Sequence, residues 1–178
     1  MNNQRGFVLI EFVTALPLIL ILLYGLAETT LQIYRLSKVQ AANYVLAVEA
    51  QEVLTRITDD LRAAKSFETH KISDDIEQIT IKYHTIKNDA FKIIDLTDTR
   101  VYTVSNYKLH SKRNDTSLKS NPITGGNFFG DTSVTKLNFS KFDDYPNVMH
   151  ITLEMTSLVT NEKIKLSTAV FMPACENE

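Results

Sequence analysis

The chain has 178 residues, a net charge of −2 and a single cysteine, Cys175. Its length fits one domain plus an anchor. The near-neutral balance, without a basic stripe, argues against nucleic acid or anionic lipid as a partner held by bulk charge. The lone cysteine excludes an intrachain disulfide.

Residues 1–6 form a polar leader that carries Arg5 and ends in Gly6. An apolar run follows from Phe7 to Tyr24, long enough to cross a bilayer, whose hydrocarbon core takes about 20 apolar residues. Glu11 stands inside that run. An ionised side chain there costs about 2.5–3.5 kcal/mol on insertion scales. A plain anchor has no reason to carry that cost, so Glu11 calls for a counter-charge. A cut after Gly6 makes Phe7 the first residue and Glu11 the fifth. The freed amine of Phe7, on the same or a neighbouring subunit, is then a natural partner.

Two other readings of this terminus compete. An ordinary secretory signal would use Arg5 as its charged region and be cut after Ala27, at Gly25-Leu26-Ala27. Its apolar run is longer than the usual ~7–15 residues, however, and contains Glu11. An uncleaved single-span anchor gains a weak orientation bias from Arg5, which Arg35 and Lys38 oppose. All three readings export the body.

The segment Gly6-Phe7-Val8-Leu9-Ile10-Glu11 resembles the prepilin cleavage and N-methylation signal of type IV pilins and pseudopilins. Glycine, a following Phe and Glu at mature position five are all present. The block Glu11-Phe12, Leu16-Pro17, Gly25 and Glu28 is similar to TadE-like pseudopilins of tight-adherence systems. The remainder is more similar to minor pilins of the PilW type and minor pseudopilins of the type II secretion J family. That likeness lies in Leu54 to Ala64 and, more weakly, in Tyr107-Lys108-Leu109 with Asn121-Pro122-Ile123. Pro17 departs from many J-family sequences.

The resemblance implies cleavage by a membrane prepilin peptidase and often methylation of the new terminus. It also implies assembly with other pilin or pseudopilin subunits, through an inner-membrane platform, into a type IV pilus, tight-adherence or type II secretion filament. Gly6 and Phe7 are then the processing residues and Glu11 the assembly residue. The chain would cross the inner membrane once, N-terminus cytoplasmic and body exported, and end in an extracellular pilus or a periplasmic pseudopilus.

From Phe7 to about Lys65 only Pro17 and Gly25 argue against helix. Pro17 removes one helical hydrogen bond, so a kink or local unwinding is expected there, with Gly25 a second weak point. Beyond Gly25 the pattern turns amphipathic. Leu46, Ala50, Val53, Leu54, Ile57, Leu61 and Ala64 recur at helical steps on one face. Gln51, Glu52, Arg56, Asp59, Asp60 and Arg62 fall largely away from it. A continuous helix of this span would be about 90 Å long at 1.5 Å per residue. Its first half must therefore be covered by lipid or other subunits, and its second half by the body. The face near Leu31, Ile33, Tyr34 and Leu36 is a candidate for meeting neighbouring subunits. The domains read as leader 1–6, membrane half 7–27, amphipathic half 28–65 and β-rich body 66–178.

After Lys65 the period changes to two. Strands are predicted at Ile79 to Thr85, Phe91 to Asp95, Arg100 to Ser105, Tyr107 to His110, Val134 to Ser140, Met149 to Thr156 and Lys163 to Phe171. Thr160-Asn161-Glu162 marks a hairpin loop between the last two. The expected fold is α+β: a long N-terminal helix with a C-terminal antiparallel sheet on its second half. No arrangement points to an enzyme, a cofactor or a metal. The four histidines lack ligand spacing, and Asp143-Asp144-Tyr145-Pro146-Asn147 lacks the alternation of a calcium loop.

Overall fold

The computed structural model describes residues 3–89, 92–113, 121–126, 131–142 and 145–173, with side chains for 10–83, 98–113, 122–126, 131–142, 145 and 147–173. The architecture is α+β. Among the described residues one long helix, α1 (Asn3–Arg62), precedes eight strands. The chain divides into two units, Met1–Gln40 and Ala41–Glu178.

In the second unit α1 buries Ala42, Leu46, Ala50, Val53, Leu54, Ile57 and Leu61. This is the face that the three- and four-residue spacing predicts. Each fully buried Leu or Ile contributes about 1.5–3 kcal/mol. Ala42 and Ala50 keep the helix close to what covers it. The helix ends with Arg62, a cation suited to the negative end of the dipole. The last turn tightens through Ala64 N–H to the Leu61 carbonyl, 3.2 Å, and Lys65 N–H then donates to the Lys82 carbonyl at 2.9 Å. That bond passes the chain into the first sheet.

The strands are β1 (Ser66–Lys71), β2 (Glu77–Asp89), β3 (Lys92–Ser105), β4 (Lys108–Arg113), β5 (Asn121–Pro122), β6 (Thr132–Phe142), β7 (Tyr145–Ser157) and β8 (Lys163–Phe171). They form two antiparallel sheets in the orders β1-β2-β3-β4-β5 and β6-β7-β8. A single sheet was expected, and no periodicity signals where one sheet stops. The two are joined by backbone bonds at one seam. Ile76 bridges Leu137, Leu137 N–H donates to the Asp75 carbonyl at 2.9 Å, and Val134 N–H donates to the Tyr107 carbonyl at 2.7 Å. The Glu77 carboxylate accepts from Phe139 N–H at 2.6 Å.

Inward positions of both sheets meet the helix in one core: Ile79, Ile81, Tyr102, Val104 and Leu109 from the first, Val134, Leu137, Phe139, Met149, Ile151, Leu153, Met155 and Val170 from the second. Val134 and Leu137 are an odd number of residues apart and would face opposite sides of a regular strand. A register shift between Val134 and Lys136 lets both point inward.

The two short strands predicted around residues 91–95 and 100–105 are one long strand, β3, hairpinned on β2 from Asp89↔Lys92 to Ile79↔Tyr102. Residue 91 itself lies outside the described residues. β1 and β5 had no alternating apolar signature, and both were missed. The β7–β8 loop falls where predicted, with Asn161 at φ 58°.

The β3–β4 turn places Asn106 at φ 51° and Tyr107 at φ 60°. Two successive left-handed residues are the type I′ geometry, in which the second position favours glycine. Tyr107 is 69% exposed, so its ring gains little from packing. Tyr107→Gly is expected to raise stability by about 0.5–1 kcal/mol, the relief of left-handed strain less the added unfolded-state entropy. A denaturant titration checks this.

Candidate membrane and assembly segment

The first unit carries all the residues singled out at the N-terminus. Gly6 and Phe7 lie within α1, but their side chains fall outside the described residues. From Ile10 to Gln40 no side chain is buried, and only Ala15 is even half-covered. Ile10, Phe12, Val13, Leu18, Ile21 and Leu22 are each more than 60% exposed. By length and composition this helix can cross a membrane.

The polar groups in the segment divide into two kinds. The Thr14 hydroxyl donates to the carbonyls of Ile10 and Glu11 at 3.1 and 3.0 Å. Thr29 bonds back to Gly25 and Leu26, and Thr30 to Leu26, at 2.8–3.0 Å. Hydroxyls satisfied within their own helix are tolerated in an apolar medium. Glu11 differs: among the described residues no hydrogen bond or ion pair reaches its carboxylate, which sits exposed between Ile10 and Phe12. One helical turn separates it from Phe7, about 6 Å of axial rise.

Pro17 sits inside the helix. Its nitrogen has no proton to give, so the Val13 carbonyl lacks its usual partner. The helix nevertheless continues through both Pro17 and Gly25. An added Cβ at Gly25 would meet nothing within 4 Å, so no neighbour among the described residues demands glycine there.

The amphipathic half was expected to begin near residue 28. Burial begins only at Ala42, and Leu31, Ile33, Tyr34 and Leu36 are 51–68% exposed. Asp143, Asp144 and Cys175 lie outside the described residues.

In the second unit the structure corrects one sequence assignment. Asp60 was placed away from the packed face. Its side chain is only 16% exposed and accepts two hydrogen bonds from Arg100 Nη1, at 2.8 and 2.6 Å, and one from the Tyr102 hydroxyl. This cluster ties the end of α1 to β3. Nothing in the spacing of Asp60 marks its partners, which lie forty residues on in a strand.

Burial raises the pKa of Tyr102 above its ordinary 10.0, and its hydrogen bond to Asp60 adds to the rise. Tyr83 is raised as well, by burial first and the Asp60 charge second. A raised acid is neutral in the fold beyond the pH at which it ionises when unfolded. The stability it contributes is therefore complete below its ordinary pKa and is lost as pH climbs past it. The melting temperature is expected to fall between about pH 9 and about pH 11, and to fall less in Tyr102→Phe. An equal fall in both proteins would remove Tyr102 as a cause.

No family model matches the chain, and no curated protein or solved structure matches it either.

Proposed function

We propose that this chain is a membrane-anchored subunit of a filament of the type IV pilus, tight-adherence or type II secretion kind, with the role of a minor pilin or pseudopilin. In this account a prepilin peptidase cuts after Gly6, and the segment from Phe7 to about Ala27 first holds the chain in the inner membrane. On assembly the same segment leaves lipid for the filament core. Glu11 then neutralises the Phe7 amine of its own or an adjacent subunit, so that neither charge stays unpaired in apolar surroundings.

The observation that carries the reading is Glu11, an exposed carboxylate with no partner among the described residues, in a helix that buries no side chain from Ile10 to Gln40. Lipid alone would cover the apolar side chains but would leave the carboxylate unanswered. A neighbouring subunit answers both needs. The long amphipathic half and the β-rich body accord with a subunit that displays its body outside the core.

The test is recovery of the chain in filaments sheared from cells that express the full assembly system. The proposal expects the chain there at its mature length. Recovery solely as a soluble body that lacks the helix, or solely in the membrane under assembly conditions, would contradict it.

A further inference from the structure

β8 (Lys163–Phe171) ends the sheet ordered β6-β7-β8. Its pairing with β7 fixes where its backbone groups point. Met172 N–H donates to the Asn147 carbonyl and Ser157 N–H to the Glu162 carbonyl, both at 2.9 Å. Between these bonds β8 pairs with β7 without a register shift. In an antiparallel ladder, hydrogen-bonded pairs alternate with open ones. Ile164, Leu166, Thr168 and Val170 therefore bond to β7. The N–H and C=O groups of Lys163, Lys165, Ser167, Ala169 and Phe171 point the other way, and among the described residues no strand pairs with them.

Such an edge is a template for another strand, and proteins guard it with charge, proline, bulges or shortness. β1, an edge of the other sheet, is short and carries Glu68, His70 and Lys71. β8 has Lys163 and Lys165 at its start and no charge from Leu166 to Phe171. A second sign lies on its inner side. Ile164 and Leu166 pack against the core yet are only half-buried, whereas Met155 and Leu153, their partners on β7, are fully buried. The cover of the core stops one strand short.

We infer that this edge pairs with β8 of a second copy of the chain, antiparallel and centred on Ser167. The charges of the strand select this occupant. Lysines at one end only would oppose each other in a parallel pair, which destabilises it. In the antiparallel pair Lys163 faces Phe171, Lys165 faces Ala169 and Ser167 faces its own counterpart. No lysine opposes another, and all five outward residues find partners. About ten backbone hydrogen bonds form, two per facing pair, and each Lys163 meets an aromatic ring. On the inner side Ile164 comes opposite Val170 and Leu166 opposite Thr168, which covers their open flanks. One sheet then runs through both copies about a two-fold axis, an isologous contact.

Two copies held by the same membrane span sit at equal depth, and a two-fold axis along the membrane normal keeps them so. The pairing depends on the body alone and not on the filament reading. A filament is built by a heterologous contact, so this pair belongs to chains outside the filament.

The test uses the full-length chain in membranes, with Cys175→Ser as background, treated with a short bismaleimide. Ser167→Cys should link to a second copy of itself, since the two positions face each other across the axis. Lys163→Cys should not link to itself, because its two copies stand about 27 Å apart along the strands. Differently tagged copies that carry Lys163→Cys and Phe171→Cys should link to each other. All three positions are exposed, so the fold should tolerate them. Ala169→Lys sets like charges opposite each other twice and should lower the Ser167→Cys yield by up to about thirtyfold. Adding Lys165→Glu should restore it.

No link at Ser167→Cys, equal linking of Ser167→Cys and Lys163→Cys, or a yield indifferent to Ala169→Lys would each overturn the inference. The filament reading is decided separately, by cleavage after Gly6, and either can fail without the other.

Discussion

Glu11→Ala is expected to insert in the membrane and to be processed at Gly6, yet to be lost from filaments. Removing the carboxylate takes away about 3 kcal/mol of cost in lipid, so insertion should hold or improve. In the assembled state the same change leaves the Phe7 amine without its counter-charge in an apolar core. If that penalty is also about 3 kcal/mol, incorporation falls about a hundredfold. Glu11→Gln should behave like the alanine variant, since it keeps the shape and loses the charge. Glu11→Asp should retain part of the function. The measurement is the ratio of filament-borne to membrane-borne chain for each variant. Normal incorporation of Glu11→Ala would remove charge pairing from the account and leave only apolar packing to drive assembly.

The second large effect is expected at Asp60, in the body. Asp60→Ala leaves the Arg100 guanidinium and the Tyr102 hydroxyl without their shared acceptor. Breaking a buried pair from one side costs about 3–5 kcal/mol. Arg100 keeps 30% of its side-chain surface, so water recovers part of the loss. A cost of about 2–3 kcal/mol follows, equivalent to roughly 5–10 °C in melting temperature for a chain of this size. Asp60→Asn retains an acceptor and should lose about half as much. Arg62→Ala is the internal control. Its pair with Asp59 is more than 60% exposed on both sides, and its loss should shift stability by less than about 0.5 kcal/mol. A thermal melt of the full chain in detergent, followed by near-ultraviolet circular dichroism, separates the three. Equal shifts for Asp60→Ala and Arg62→Ala would show that the Asp60 cluster does not bind helix to sheet.

Much of this architecture was legible in the sequence because it rests on period. The buried face Leu46, Ala50, Val53, Leu54, Ile57, Leu61 and Ala64 follows from helical spacing alone, and all seven are buried. The strands β2, β6, β7 and β8 follow from alternation, since each sets a row of apolar residues on one side. What escaped has no period. β1 (Ser66–Lys71) holds Phe67 as its one large apolar residue and lies at a sheet edge, so it pairs by backbone rather than by burial. The division into two sheets depends on the Ile76–Leu137 bridge and on carbonyls at Asp75 and Tyr107, and backbone groups leave no trace in residue type. Asp60 was misplaced for a related reason: a carboxylate at the margin of a packed face looks solvated until its distant cation is known. The N-terminal segment is the opposite case. Its message lies in one out-of-place charge, Glu11, which is legible in the sequence and for which the filament proposal supplies a partner.

The most direct test of the central claim is the mass of the mature N-terminus, measured on the chain from native membranes. The account predicts a chain that begins at Phe7, with one added methyl group where the methylating activity is present. A chain that begins at Glu28 would mean an ordinary exported domain, and one that still begins at Met1 would mean a plain anchor. Either result would contradict the filament account.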